Sequence, residues 1–334
     1  MYFADFHCDT ISELYEHQKT AHSQAKPWTL MQNPLQVDLP RLRDAGYLLQ
    51  HFAIFIDMGK YENPYNTAMQ MLDLYDRELA ASPELVSPVY NLGDINKIMA
   101  EHKIAAIATI EEGGILEGDL SRLDALYKRG VRLLTLTWNY PNCIGYPNAP
   151  LSIDNGSFPI TPDTIHGLTP FGFLVVEKCE SLGIVVDVSH LSDAGFYDVA
   201  DVAKRPFVAS HSSARALSPH ARNASDDMIR VLAEHGGLIG VNFHPPFIEG
   251  NIENPYGTIA GIVKHIRHIY RTGGISCLAL GSDFDGINRH LELDDAAMMP
   301  KLFYALKKDG FSESQIDAIL YKNMLQFYND YLPQ

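Results

Sequence analysis

The chain has little of what marks several common protein classes. Only four of its 334 residues are cysteine, and Cys8, Cys143, Cys179 and Cys277 lie far apart with no C-x-x-C pair. That argues against a disulfide framework and against a structural zinc knuckle, and it fits reduced thiols in a cytoplasm. No stretch approaches the roughly 18 consecutive apolar residues of a membrane span. Met1-Tyr2-Phe3 leads straight into structured-looking sequence without a basic and then apolar leader, so a soluble, non-secreted protein is expected. Basic residues are scarce: 26 Lys and Arg stand against 41 Asp and Glu, a net charge of -15, which disfavours a nucleic-acid or anionic-membrane surface. Low-complexity tracts, long like-charge blocks and short repeats are also missing. What is present is 46% hydrophobic and 20% charged sequence, enough for a large core in one α/β barrel or in two domains.

Eight apolar, β-branched or aromatic runs of strand length fall near 2-8, 47-56, 104-111, 131-137, 183-189, 206-211, 237-243 and 277-284. Between most of them the apolar spacing is helical, at 66-80, 94-102, 119-129, 170-182, 192-203, 225-235 and 257-272, with 295-308 and 313-331 after the last run. Strand alternating with helix implies parallel βαβ units. Continuous apolar runs such as Gly183 to Ser189 suit strands buried on both faces. Eight units point to a single (β/α)8 TIM barrel spanning 1-334. A doubly wound sheet is the rival, weakened by the lack of G-x-G-x-x-G after the first strand. The stretch 138-168, with five prolines, reads as a long functional loop.

Barrel enzymes carry their chemistry at the carboxyl ends of the strands, and here those ends are unusually polar. They read Asp5-Phe6-His7-Cys8-Asp9-Thr10, Glu111-Glu112-Gly113-Gly114, Asp187-Val188-Ser189-His190, Ser210-His211-Ser212-Ser213 and Ser282-Asp283-Phe284-Asp285-Gly286. His7 and Asp9, two apart on one strand, share a face and suit one cation. His190 and His211 suit a second, and Glu112 is placed between them as the bridge. Strand alternation sends Glu111 to the opposite face, and Gly113-Gly114 allows close backbone approach beside Glu112. Nitrogen and carboxylate ligands without cysteine are typical of catalytic zinc and similar hydrolytic metals. Asp283 suits general acid/base work, and Arg222 suits a bidentate clamp on an anionic substrate group. Asp285 reads as a loop cap, Cys8 as core, and the other eleven histidines, His22 among them, as surface or packing residues.

Together these motifs, with Leu134-Thr135-Leu136-Thr137, Gly167-Leu168-Thr169-Pro170-Phe171-Gly172, Arg222-Asn223 and Val241-Asn242-Phe243, resemble in order those of the membrane (renal) dipeptidase family. The resemblance spans essentially the whole chain. It implies an amidohydrolase-like barrel and a dipeptidase with two zinc ions. His7 and Asp9 are implied on one ion, His190 and His211 on the other, with Glu112 bridging. Asp283 takes the acid/base position and Arg222 the carboxylate-binding one. It also implies short dipeptide substrates, often with a D-residue second, and a homodimer. The chain departs from the pattern at Trp138, where the better-known members carry a substrate-contacting histidine, which leaves Asn139, Asn142 or the metal to compensate. It departs again at His244, where a tyrosine is expected. Trp138, Asn139 and His244 therefore count as candidate substrate contacts. Two alternatives stay open: another binuclear amidohydrolase acting on a lactam, amide or ester, and a catalytically silent ligand-binding barrel.

Overall fold

A computed structural model describes residues 1–20, 26–148, 160–250 and 253–333. His22 and the middle of the long loop, 149–159, lie outside the described residues. Nine strands appear among the described residues: β1 (Phe3–Asp5), β2 (Tyr47–Phe55), β3 (Val86–Pro88), β4 (Ile104–Glu111), β5 (Val131–Thr135), β6 (Val185–Asp187), β7 (Val208–Ser212), β8 (Leu238–Val241) and β9 (Leu278–Leu280). All pairings between them are parallel, and the sheet runs β2-β1-β9-β8-β7-β6-β5-β4-β3. Closure comes from β2 against β4, in register from Leu49↔Ala105 to Phe55↔Glu111. The fold is thus a closed eight-stranded (β/α)8 barrel, and the doubly wound alternative falls. Strand β3 pairs only with β4, outside the ring, and is too short to show in the apolar pattern.

The surrounding helices begin where the sequence supplies an acceptor for an orphan backbone N–H. Side-chain oxygens of Thr169, Ser192, Ser225 and Thr258 accept from the amides of Gly172, Gly195, Met228 and Gly261. Pro170 sets the first helical turn of Pro170–Leu182, and Gly183, at φ +81°, ends that helix in a left-handed turn. The helix expected over 313-331 is interrupted by a π-turn at Ala318–Lys322.

Alternation along each strand separates two cores. Ala105 and Ile107 of β4 point into the barrel with Phe6, Leu49, Leu133, Val185 and Leu238, while Ala106, Ala108 and Ile110 pack outward against the helices. At the amino end of the strands the helix Asn323–Tyr331 presses Met324, Phe327 and Tyr328 into the barrel. There the Tyr328 hydroxyl lies 2.6 Å from His51 Nε2, while His51 Nδ1 donates to Asp5 O at 2.7 Å. Emptying such a position, for example Phe6→Ala, costs about 3–5 kcal/mol. The working end is therefore the opposite, carboxyl end.

Candidate metal centre

His7 and Asp9 lie just beyond β1, where Cys8 continues the parallel pairing by bridging to Phe284. Asp5 braces this segment, its carboxylate accepting from the amides of His7 and Ser282 and from the Ser282 hydroxyl. His190 follows β6 and His211 sits within β7. Their ring nitrogens converge, Nε2 to Nε2, at 3.0 Å.

The acidic residue among them is Glu111, which corrects the expectation for Glu112. Glu111 Oε2 lies 3.2 Å from His7 Nε2. Its other oxygen, Oε1, lies 3.1 Å from His190 Nε2 and 3.6 Å from His211 Nε2. Asp9 Oδ2 is 3.3 Å from His7 Nε2, and Asp283 Oδ1 is 3.8 Å from the same atom. Three overlapping groups result, His7/Asp9/Glu111, Glu111/His190/His211 and His7/His211/Asp283, each with donor atoms within 4.8 Å of one another.

The reason for the exchange is local. Glu111 has the parity of the inward-facing Ala105 and Ile107, whereas Glu112 lies past the strand end in a left-handed conformation, φ +92°. Its carboxylate turns toward the β5 loop, accepting from Gly114 N at 2.6 Å, from Trp138 N at 2.9 Å and from Asn142 Nδ2. Burial pushes its pKa up to about 7 against those three bonds. The glycines after it are needed for packing: a Cβ on Gly113 would meet Ile144 Cδ1 at 2.6 Å and Leu136 O at 2.8 Å.

The donor set fits divalent cations. Three carboxylates, Asp9, Glu111 and Asp283, share one enclosed space, and His7 Nδ1 and Asp9 Oδ1 are buried there without a hydrogen-bond partner. Burying like charges with idle polar atoms is costly unless a cation compensates. Burial, reinforced by Arg222 at His190 and by His7 at His211, holds both imidazoles well below their usual range, so they present lone pairs. Burial alone depresses His7, but Glu111 and Asp9 hold it well above. Asp283 rises to about 7, first through burial and then through Asp9 and Glu111.

The surroundings orient these groups. Asn139 Oδ1 meets His190 Nδ1 at 2.8 Å, and Ser210 Oγ meets His211 Nδ1 at 2.8 Å while donating to Asp187 Oδ2 at 2.6 Å. Asn242 Nδ2 donates to Asp283 Oδ2 at 2.8 Å. Sequence reasoning missed Ser210, Asp187 and Asn242; their adjacency to ligand positions at strand ends is the signal that finds them. Asp285, read as a loop cap, accepts from Thr10 Oγ1 and Gln36 N.

Arg222 reaches the same rim from the loop after β7. It is buried, Nε has no partner, and the rest of the guanidinium makes only long contacts, 3.5 Å to Ser212 Oγ and 3.3 Å to His211 O. Among the described residues it forms no salt bridge. Arg215 brackets its loop through paired bonds to Asp193 and bonds to the carbonyls of Ala221 and Asn223. Half-buried His244 shares the Phe247 ring with Arg222, at 4.7 Å against 5.4 Å for the guanidinium carbon; burial, then Arg222, lowers its pKa to about 4. Trp138 is half-buried beside Phe55, Tyr140 and His190.

Among known proteins, the model of the membrane dipeptidase family, peptidase family M19, matches residues 1–330. An uncharacterized dipeptidase of Schizosaccharomyces pombe is 31% identical over 311 residues, covering 88% of this chain and 73% of that protein. The crystal structure of dipeptidase AC, a metallopeptidase of the same family, is 25% identical with a TM-score of 0.88 and 99% of both chains covered. A metallopeptidase from Rhodobacter sphaeroides, liganded with a phosphinate mimic of the dipeptide L-Ala-D-Ala, shares the fold at 24% identity, with a TM-score of 0.88 and 99% of both chains covered.

Proposed function

Because the chain belongs to the membrane dipeptidase family and is a metallo-dipeptidase, we propose that it cleaves short dipeptides at a pair of zinc ions held by one barrel domain. His7 and Asp9 would hold one ion, His190 and His211 the other, and Glu111 would bridge them. The observation that carries this reading is the division of one carboxylate: Glu111 Oε2 faces His7 and Oε1 faces His190 and His211. Cations bound there supply Lewis acidity toward the scissile carbonyl and lower the pKa of water.

The protein's own groups do the rest. The uncommitted guanidinium of Arg222 receives the terminal carboxylate of the dipeptide, fixing its length at two residues. Asp283, held by Asn242 beside His7, takes the proton of the attacking water and delivers it to the departing amine. A D-residue at the second position is supported by the L-Ala-D-Ala mimic on the Rhodobacter sphaeroides neighbour. The four free thiols support a cytoplasmic setting, and the homodimer rests on family resemblance.

Elemental analysis with a stereochemically complete dipeptide panel tests the reading. Two zinc ions per chain, cleavage of dipeptides and no cleavage of their C-terminal amides are expected. Turnover confined to lactams or esters would replace it with the other amidohydrolase reading.

A further inference from the structure

In the closed ring, β7 lies four strands from β2 in either direction, so the Arg222 loop and Phe55, the last residue of β2, face each other across the mouth. A dipeptide with its carboxylate at Arg222 and its scissile carbonyl at Glu111 must send its first residue toward the rim of β2, β4 and β5. There the chain presents aromatic surface. The Trp138 ring stands 4.7 Å from that of Phe55 at 65° and 5.7 Å from that of Tyr140 at 57°, and all three residues keep part of their surface exposed.

We propose that Phe55, Trp138 and Tyr140 form an aromatic wall that receives the first side chain of the dipeptide and selects apolar and aromatic residues there. The inference rests on the dipeptidase reading and names its substrate class. The wall is preset, because the Glu112 carboxylate fixes the Trp138 amide and the next residue, Asn139, is held against His190. Rigid aromatic faces bind apolar side chains at little entropic cost. Among the described residues the ionisable groups beside the wall include Asp57, at Tyr140, whose charge does not favour an acidic first side chain.

The test is kcat/KM for X-Ala dipeptides with X as Gly, Leu, Phe, Lys and Asp, on the zinc-loaded wild type and on Trp138→Ala, Trp138→Phe and Phe55→Ala. The wild type is expected to favour Phe-Ala over Gly-Ala by about tenfold or more. That ratio should collapse toward one in Trp138→Ala, fall in Phe55→Ala and survive in Trp138→Phe. A flat wild-type profile, a preference for Asp or Lys, or an unchanged ratio in Trp138→Ala overturns the wall while leaving the dipeptidase reading intact. Failure to cleave any X-Ala dipeptide with zinc bound overturns both.

Discussion

Asn139 Oδ1 sits 2.8 Å from His190 Nδ1, so a side chain on the β5 loop sets the orientation of an imidazole that follows β6. With Nδ1 engaged, Nε2 is left facing Glu111. Partners of this kind fix tautomer and ring angle, and their loss typically weakens metal binding about 10- to 100-fold. Asn139→Ala should therefore lower affinity for one ion of the proposed pair by that factor, read in competition with a chromophoric chelator. Equal weakening of both ions, or of neither, would show that the contact is incidental.

Glu111 and Glu112 should separate cleanly. Glu111→Gln removes the carboxylate shared by both halves of the centre and should reduce bound metal below two per chain. Glu112→Gln leaves those atoms in place and should keep full metal content while loosening Trp138 and Asn142, whose nitrogens it now holds. Elemental analysis of the two purified variants decides; metal lost only from the Glu112 variant would reverse the assignment.

Arg222→Met should raise KM for dipeptides about 10- to 100-fold, the worth of charge-assisted hydrogen bonds at ~1.5–3 kcal/mol. Metal content should not change. A KM equal to wild type would mean that the terminal carboxylate binds elsewhere.

Acid should destabilise the fold through buried histidines outside the metal-ligand set. Burial lowers the pKa of His265 to about 4; its Nδ1 accepts from Ala214 N and its Nε2 donates to Ile248 O. Unfolded, the same imidazole titrates near 6.5. Between those values the unfolded chain binds more protons, so this contribution is present above pH 6.5 and is lost as pH falls toward 4. The slope is at most ~1.4 kcal/mol per pH unit for each such group. His51, lowered to about 3 by burial, acts in the same direction. Urea midpoints at pH 7, 6 and 5 should decline, and a smaller decline is expected for His265→Gln; a flat series contradicts it.

The barrel and most of its rim were legible because they follow from alternation and from polar residues at strand ends. His7, Asp9, His190, His211, Asp283 and Arg222 all reach one mouth. The choice between Glu111 and Glu112 was not. Both end the same run, and the Gly-Gly pair after Glu112 drew attention to the wrong one. Counting parity from Ala105 and Ile107 would have favoured Glu111, but that needs knowledge of which face of β4 is inward. Asn139, a candidate substrate contact from its place after Trp138, turns its side chain toward His190. Its direction depends on a loop held by Glu112 from another strand, which no local pattern encodes.

Four of the seven non-glycine residues with positive φ among those described, Glu112, His190, Asp283 and Asp285, crowd this one rim. Each such backbone costs on the order of 1 kcal/mol, and the surrounding bonds over-determine it. A laboratory selection for heat tolerance that ignored turnover would be expected to accumulate glycine or asparagine at these positions first. Thermostable, inert descendants would then trace, substitution by substitution, the outline of the working surface.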